Sequence, residues 1–365
     1  MGSTDAPVES PKEPYRSGLQ FVKTDLTNCQ ESDDNQHAES VDCTVKTQEL
    51  RRCAVVARNI TIGAAQMGPI AREESRTEVV ERLLALLERG AKRGCELIVF
   101  PELTLTTFFP RWFLKDNAEI DSWFETEMPG PETKRLFDRA AELKVGFCLG
   151  YAEIFVDGEG IRHHYNTQIL VERNGSVVGK YRKVNVPGHD RHEPDRPFQH
   201  LERYYFEAGP DGFQVWDAFE GTVGMAICND RRWSETYRVM GLQGVELILI
   251  GYNTPLHYSP DPQQNALAGF HNHLVMQAGA YQNGTYVVGV AKGGIEEGVD
   301  SLAQSVIIAP SGQIKAQCIT TGDEIAIATI DLDYCSFYKN TLFDFDRYHQ
   351  SQHFGLISQP REQPQ

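Results

Sequence analysis

No apolar run in this 365-residue sequence approaches the roughly 20 residues that a membrane-spanning helix needs. The N-terminus carries neither the basic nor the apolar region of a secretory leader, so a cytoplasmic address is expected. Positive charge is scarce: 35 Lys and Arg stand against 51 Asp and Glu, a formal net charge of −16. That balance argues against nucleic acid or an anionic membrane as partner, because both need cations to meet phosphates. The eight cysteines include no C-x-x-C pair and are too scattered for a secreted disulfide scaffold, so reduced thiols are expected. Phosphate-binding glycine motifs are missing as well, which leaves nucleotide cofactors unsupported. His189 and His192, and His271 and His273, come in twos without further assembled ligands, so no metal is expected either.

What is present is enough for a large buried core, with 41% hydrophobic residues. Residues 1–57 are rich in Ser, Thr, Asp, Glu, Gln and Pro and hold no apolar periodicity, which reads as a disordered or loosely attached extension. Residues 58–358 read as one domain and 359–365 as a tail. Ile60 to Ala65 is a short apolar run; Glu73 to Arg93 places Val79, Val80, Leu83, Leu84 and Leu87 at helical spacing, and Glu96 to Phe100 is a buried strand. Helix Lys134 to Leu143 and strand Val145 to Tyr151 follow. Thr167 to Val171 and Val177 to Tyr181 form a hairpin around Asn174-Gly175, a pair suited to a type I′ turn. Then come strand Thr222 to Cys228, helix Trp233 to Gly241, strand Glu246 to Ile250, helix Gln263 to Gln282 and strand Thr285 to Val290. Two strands flank Pro310-Ser311-Gly312, and a last one runs Glu324 to Ile330. Helices alternate with strands and hairpins interrupt them, so a layered α/β sandwich is expected.

The segment most able to do chemistry is Gly224 to Trp233, where an apolar strand ends at Cys228 and polar residues lead into a helix. A thiol at such a turn faces free backbone N–H groups and a helix dipole, which favours thiolate. Arg231 and Arg232 add positive charge. A cysteine nucleophile needs a base, and residue spacing alone leaves a histidine and a carboxylate equally open among eleven histidines. Glu102, just past the Leu97 to Phe100 strand, and Lys183, at the end of a hairpin strand, offer a carboxylate and a cation at element ends.

Phe-Pro-Glu-Leu at 100–103, Lys-Tyr-Arg-Lys at 180–183 and Ile-Cys-Asn-Asp-Arg-Arg-Trp at 227–233 resemble, in this order and separation, the Glu-Lys-Cys triad of the nitrilase (carbon–nitrogen hydrolase) superfamily. Within it the chain is most similar to the N-carbamoyl-D-amino acid amidohydrolases, through Met67 to Arg72, Leu105 to Trp112, Glu127 to Pro131, Arg196 to Glu202, Gly251 to Pro255 and Met276 to Gly279. The resemblance covers residues 60–358 and implies a four-layer α-β-β-α sandwich, built into a homodimer or homotetramer. It implies that Glu102, Lys183 and Cys228 form the triad, with Glu202 as a second active-site glutamate. It further implies that Arg231 and Arg232 hold a substrate carboxylate, that the backbone N–H of Asn229 helps to hold the oxyanion, and that His200, His271, Asn253 and Thr254 lie near the substrate, an N-carbamoyl amino acid. A carboxylate shuttling protons in this way is expected to have a pKa lifted by burial or by Glu202. One departure is Asn185, where the family has a histidine two residues after the lysine; an amide hydrogen-bonds but does not titrate.

Overall fold

The computed structural model describes residues 57–359 apart from Pro197 and 258–260. The extension expected over residues 1–57 and the tail from 359 fall almost wholly outside the described residues. By its internal contacts the chain divides after Val55, and residues 56–365 form one unit.

Two six-stranded sheets dominate that unit. In the first, strands run in the order β14 (Glu324–Asp331), β1 (Asn59–Gln66), β2 (Leu97–Val99), β3 (Gly146–Val156), β4 (Arg162–Val171) and β5 (Val177–Arg182). In the second the order is β13 (Ile314–Gln317), β12 (Val306–Ile308), β9 (Tyr286–Ala291), β8 (Leu247–Tyr252), β7 (Gly221–Ile227) and β6 (Val215–Ala218). Each sheet has a parallel centre, β1-β2-β3 and β7-β8-β9, and antiparallel margins. A short hairpin of β10 (Gly293–Glu296) and β11 (Val299–Leu302) stands beside the second sheet's last parallel strand.

Alternation along the strands sorts side chains between two interfaces. Ile60, Ile62, Leu97, Val99 and Cys148 meet the second sheet's Met225, Ile227 and Val288 in one core. Ala65, Ile98, Phe100, Phe147 and Leu149 face the other way, onto helices α1 (Arg76–Lys92) and α3 (Lys134–Leu143). This is the period-2 geometry of a strand buried on both faces. On the second sheet's outer side lie α5 (Ser234–Leu242) and α6 (Ala268–Asn283), following the short α2 (Asn117–Asp121) and α4 (Glu202–Tyr205) in chain order. The expected α-β-β-α layering is therefore the observed one.

Local sequence chemistry sets the element ends. Helix α1 begins at Arg76 rather than Glu73 because Ser75 closes a capping box with Glu78. The stretch expected as one helix over 263–282 is split: Asp261 caps a six-residue 3₁₀ turn, Pro262–Leu267, and the α-helix starts at Ala268. The β4–β5 turn also differs from expectation. Of the Asn174-Gly175 pair only Gly175 takes a positive φ, +83°. The Asn174 carboxamide accepts from both Ser176 N and Oγ, and Gly175 N donates to Glu172 O. Asn174 thus spends its side chain on its own backbone, and a bulge at Leu170/Val171 takes up the extra residue.

Candidate active site

The candidate residues gather at the carboxyl ends of the strands, where α/β sheets usually place their ligands. Glu102 comes after β2, Lys183 directly after β5, Cys228 directly after β7, and Asn253 and Thr254 after β8. Both the acid and the thiol sit at sharp turns: Leu103 has φ +45° and Cys228 has φ +46°, values that L side chains seldom adopt.

Lys183 is the centre of a fully buried ion cluster. Its Nζ donates to Glu102 Oε1 at 2.7 Å and to Glu202 Oε2, and none of the three side chains is exposed. An ammonium has three donors, so one N–H remains after these two contacts. Glu102 Oε1 also accepts from Asn166 Nδ2 at 2.8 Å, whereas Glu102 Oε2 is buried with no hydrogen-bond partner. Glu202 Oε1 meets His200 Nε2 at 2.9 Å.

Burial is the largest influence on each of these groups, and neighbours decide the outcome. Burial raises the Glu102 carboxyl, Glu202 adds to the rise, and Lys183 and Asn166 oppose it without overcoming it. For Glu202 the Lys183 ammonium and His200 outweigh burial and hold the carboxyl well below its ordinary range. For Lys183 the two carboxylates outweigh burial and keep it charged. The cluster therefore holds the Glu202 carboxyl low and the Glu102 carboxyl raised, the direction of shift expected for Glu102 from burial and Glu202.

Cys228 opens a 3₁₀ turn, Cys228–Arg232, rather than leading straight into the helix, which starts only at Ser234. The lowered thiol that the sequence setting favours is not what the fold produces. Burial and then Glu102 raise the thiol, and Lys183 and Arg231 offset only part of that. A five-residue 3₁₀ turn carries a small dipole, and the buried carboxylates outweigh it. The turn is pinned by Asp230, fully buried, whose Oδ2 accepts from Ile227 N at 2.9 Å and Tyr181 Oη at 2.8 Å, and whose Oδ1 accepts from Asn185 N at 2.9 Å. Asp230→Ala strands three donors, so a loss of about 3 kcal/mol is expected in urea unfolding. A loss no larger than that of a surface substitution would remove Asp230 from this role.

The structure separates the two arginines. Arg231 is buried: Nε donates to Asn272 Oδ1, Nη2 to Thr254 Oγ1 and Nη1 to Cys228 O, with the guanidinium 4.3 Å over the Tyr252 ring. Arg232 is exposed and borders two cavities. One, of about 490 Å³, is bounded by Arg231, His271 and Asn272; the other, of about 340 Å³, by Phe108, His200 and Asn253; Thr254 and Pro255 belong to both. Cys228 Sγ lies 3.9 Å from Thr254 Oγ1, beside that shared wall. Asn253 is buried and its Nδ2 has no partner, a donor left for something in the second cavity. Asn229 directs its side-chain Nδ2 to Asn185 O. Asn185 itself serves through its main chain, donating to Asp230 and accepting from Asn229, contacts that a histidine there would equally supply.

Asn166, Tyr181, Asp230 and Asn272 were not foreseen. Asn166 is the one with a legible signal, a polar side chain within the buried run of β4. Among the described residues no group of three or more His, Cys, Asp or Glu is placed to hold a metal ion, and no helix is long and apolar enough to cross a membrane.

The fold and the chain as a whole have counterparts among known proteins. The chain belongs to the carbon–nitrogen hydrolase family, whose model matches residues 61–340. It is 29% identical over 278 residues to a citrullinase of Francisella tularensis, covering 75% of this chain and 89% of that protein. It is 27% identical over 290 residues to an N-carbamoylputrescine amidase of Solanum lycopersicum, covering 76% and 87%. A nitrilase of Pyrococcus abyssi is 26% identical over 273 residues, covering 75% and 90%. Among solved structures a carbon–nitrogen hydrolase of Helicobacter pylori G27 superposes with a TM-score of 0.70 at 20% identity, over 83% of this chain and 99% of that one.

Proposed function

We propose that the protein hydrolyses the carbamoyl C–N bond of N-carbamoyl-D-amino acids, with Cys228 as nucleophile, Glu102 as proton carrier and Lys183 as oxyanion stabiliser. The observation that carries this reading is the partnerless Glu102 Oε2 inside a buried cluster that also leaves one Lys183 N–H uncommitted.

Glu102 Oε2 takes the thiol proton as Cys228 Sγ attacks the ureido carbonyl carbon. The oxyanion is met by the third Lys183 N–H and by the backbone N–H of Asn229, which has no acceptor within its own turn. Collapse breaks the bond to the terminal nitrogen, and Glu102 returns its proton to departing ammonia. The remaining thioester is attacked by water, which gives its proton to the same carboxylate; the thiolate leaves and takes that proton back from Glu102, and the released carbamate decomposes to amino acid and carbon dioxide. Glu202 stays ionised throughout and, with His200, keeps Lys183 in place.

Arg232 is the arginine whose position suits the substrate carboxylate, since it is exposed and lines both cavities. Support for a carbamoyl group comes from relatives named as a citrullinase and an N-carbamoylputrescine amidase; support for the D-series comes from the stretches of sequence similarity given above. We further propose a homodimer or homotetramer. Exposed Val239, Leu242, Phe270, Leu274 and Tyr281 on α5 and α6 support it.

The test is ammonia release from paired N-carbamoyl-D- and N-carbamoyl-L-amino acids, with N-carbamoyl-β-alanine, a simple amide and a nitrile alongside. Turnover concentrated in the D-series is the expected result. Turnover confined to another member of the panel would discard the D-amino acid assignment and keep the chemistry.

A further inference from the structure

A second buried ionic cluster lies outside the triad. Lys292, between β9 and β10, and Glu296, at the end of β10, are almost wholly buried, and Arg111 nearly so. Lys292 Nζ donates to Thr106 O and lies 3.4 Å from Glu296 Oε2. Glu296 Oε2 accepts from Ile70 N at 3.0 Å, and Oε1 accepts from Phe108 N at 2.8 Å and Arg111 Nη2 at 3.0 Å. Arg111 also donates through Nη1 to the Glu296 carbonyl and through Nε to Phe108 O.

Three of these contacts fall on the loop that leaves Glu102, at Thr106 O, Phe108 N and Phe108 O. Residues 103–108 form no helix or strand. The loop has backbone bonds of its own, Thr104 N to Gly150 O and Thr106 N to Leu103 O, and the ionic side chains satisfy further main-chain groups at 106 and 108. At its far end the Phe108 ring meets the His200 ring edge-on, with centroids 5.5 Å apart. His200 in turn bonds Glu202, and Glu202 bonds Lys183. The ionic cluster thus reaches the triad twice, along the chain to Glu102 and through Phe108 and His200 to Glu202.

We propose that Glu296, backed by Lys292, is a positioning residue for the hydrolysis: it fixes Phe108 against His200 and thereby sets the Glu202–Lys183 geometry. The proposal rests on the functional reading above. Burying three charges without a role in the reaction is a poor way to gain stability, since desolvation commonly cancels their attraction. A cluster bound to two backbone N–H groups and to loop carbonyls instead specifies a conformation.

The experiment compares wild type with Glu296→Gln, Phe108→Leu and the double variant. It measures kcat and KM on the best substrate of the panel, and Cys228 alkylation by iodoacetamide. Glu296→Gln is expected to lower kcat on the order of 10²-fold, the scale of an ångström of misplacement, with KM little changed and alkylation slowed. Phe108→Leu keeps every hydrogen bond of the ionic cluster, losing only the ring 5.7 Å from the Arg111 guanidinium, and is expected to lower kcat in the same way. The double variant should be no worse than the poorer single one, because both act along one path. Additive losses, or a Phe108→Leu enzyme within about twofold of wild type in kcat, would overturn the proposal. The Phe108→Leu arm decides the matter even if Glu296→Gln does not fold. If wild type turns over nothing in the panel, the functional reading fails by itself, and alkylation rates across the same variants still decide whether Glu296 acts through Phe108.

Discussion

Cys228→Ala is expected to reduce ammonia release by roughly 10⁵-fold or more, the scale seen when a buried nucleophile that works as part of a unit is removed. The fold should survive. Alanine is cysteine without its sulfur, so the positive φ at this position is no more strained than before, and the Asp230 contacts that pin the turn do not involve the sulfur. Loss of turnover with an unchanged thermal midpoint assigns the sulfur to chemistry; residual activity above a hundredth of wild type would remove Cys228 from the role of nucleophile. The pH profile of the wild type follows from the same cluster. Glu102 has to be ionised to take the thiol proton, and its carboxyl is raised by burial and by Glu202. Turnover is therefore present above that raised value and lost as pH falls through it, so the acid limb should lie above the ordinary glutamate value of about 4.3. Burial raises the thiol too, which makes a proton acceptor beside it matter more. Glu102→Gln removes the proton acceptor, and turnover is expected to fall on the order of 10²–10⁴-fold at every pH. A Glu102→Gln enzyme within about tenfold of wild type in kcat would contradict proton transfer to Glu102.

Much of this was legible before any coordinates. Strand ends are where local pattern and chemistry coincide: an apolar run that stops at Glu102, Lys183 or Cys228 marks an element boundary and places a polar group there, though all three are buried. The helix Lys134–Leu143 was placed to the residue because its amphipathic stretch is bounded on both sides. Less legible were features decided by tertiary partners. Asp230 stands within the recognised Ile227–Trp233 segment, yet nothing local says that it will gather donors from Asn185 and Tyr181. Glu296 meets Ile70, Phe108 and Arg111 from far along the chain. The thiolate expectation failed for a related reason: it weighed the nearby N–H groups and arginines, which are local, and not the desolvation and carboxylates, which only the fold brings together. Arg231 and Arg232 look equivalent in sequence, but one step along the turn carries the first inward and leaves the second at the cavity mouths.

Lys183→Met should be the most damaging substitution to stability as well as to turnover. The side chain is fully buried and methionine is close to it in volume, so the change is chiefly electrostatic. Removing the ammonium leaves Glu102 and Glu202 buried with the charge between them gone, and breaking a buried ion pair in this way costs about 3–5 kcal/mol. The cost must depend on pH. Without Lys183, burial and mutual repulsion raise both carboxyls in the folded state above their unfolded values. The penalty is then absent below about pH 4.3, where the unfolded carboxyls are already protonated, and grows as pH rises through the raised folded values. Urea unfolding of wild type and Lys183→Met at pH 8 and at pH 5 should show a wide gap at the first and a narrow one at the second. A gap of the same size at both would mean that Lys183 stabilises by packing rather than by balancing two carboxylates. Turnover behaves differently: acid that relieves the stability penalty cannot restore the missing oxyanion donor, so the activity loss should persist at every pH where the variant is folded.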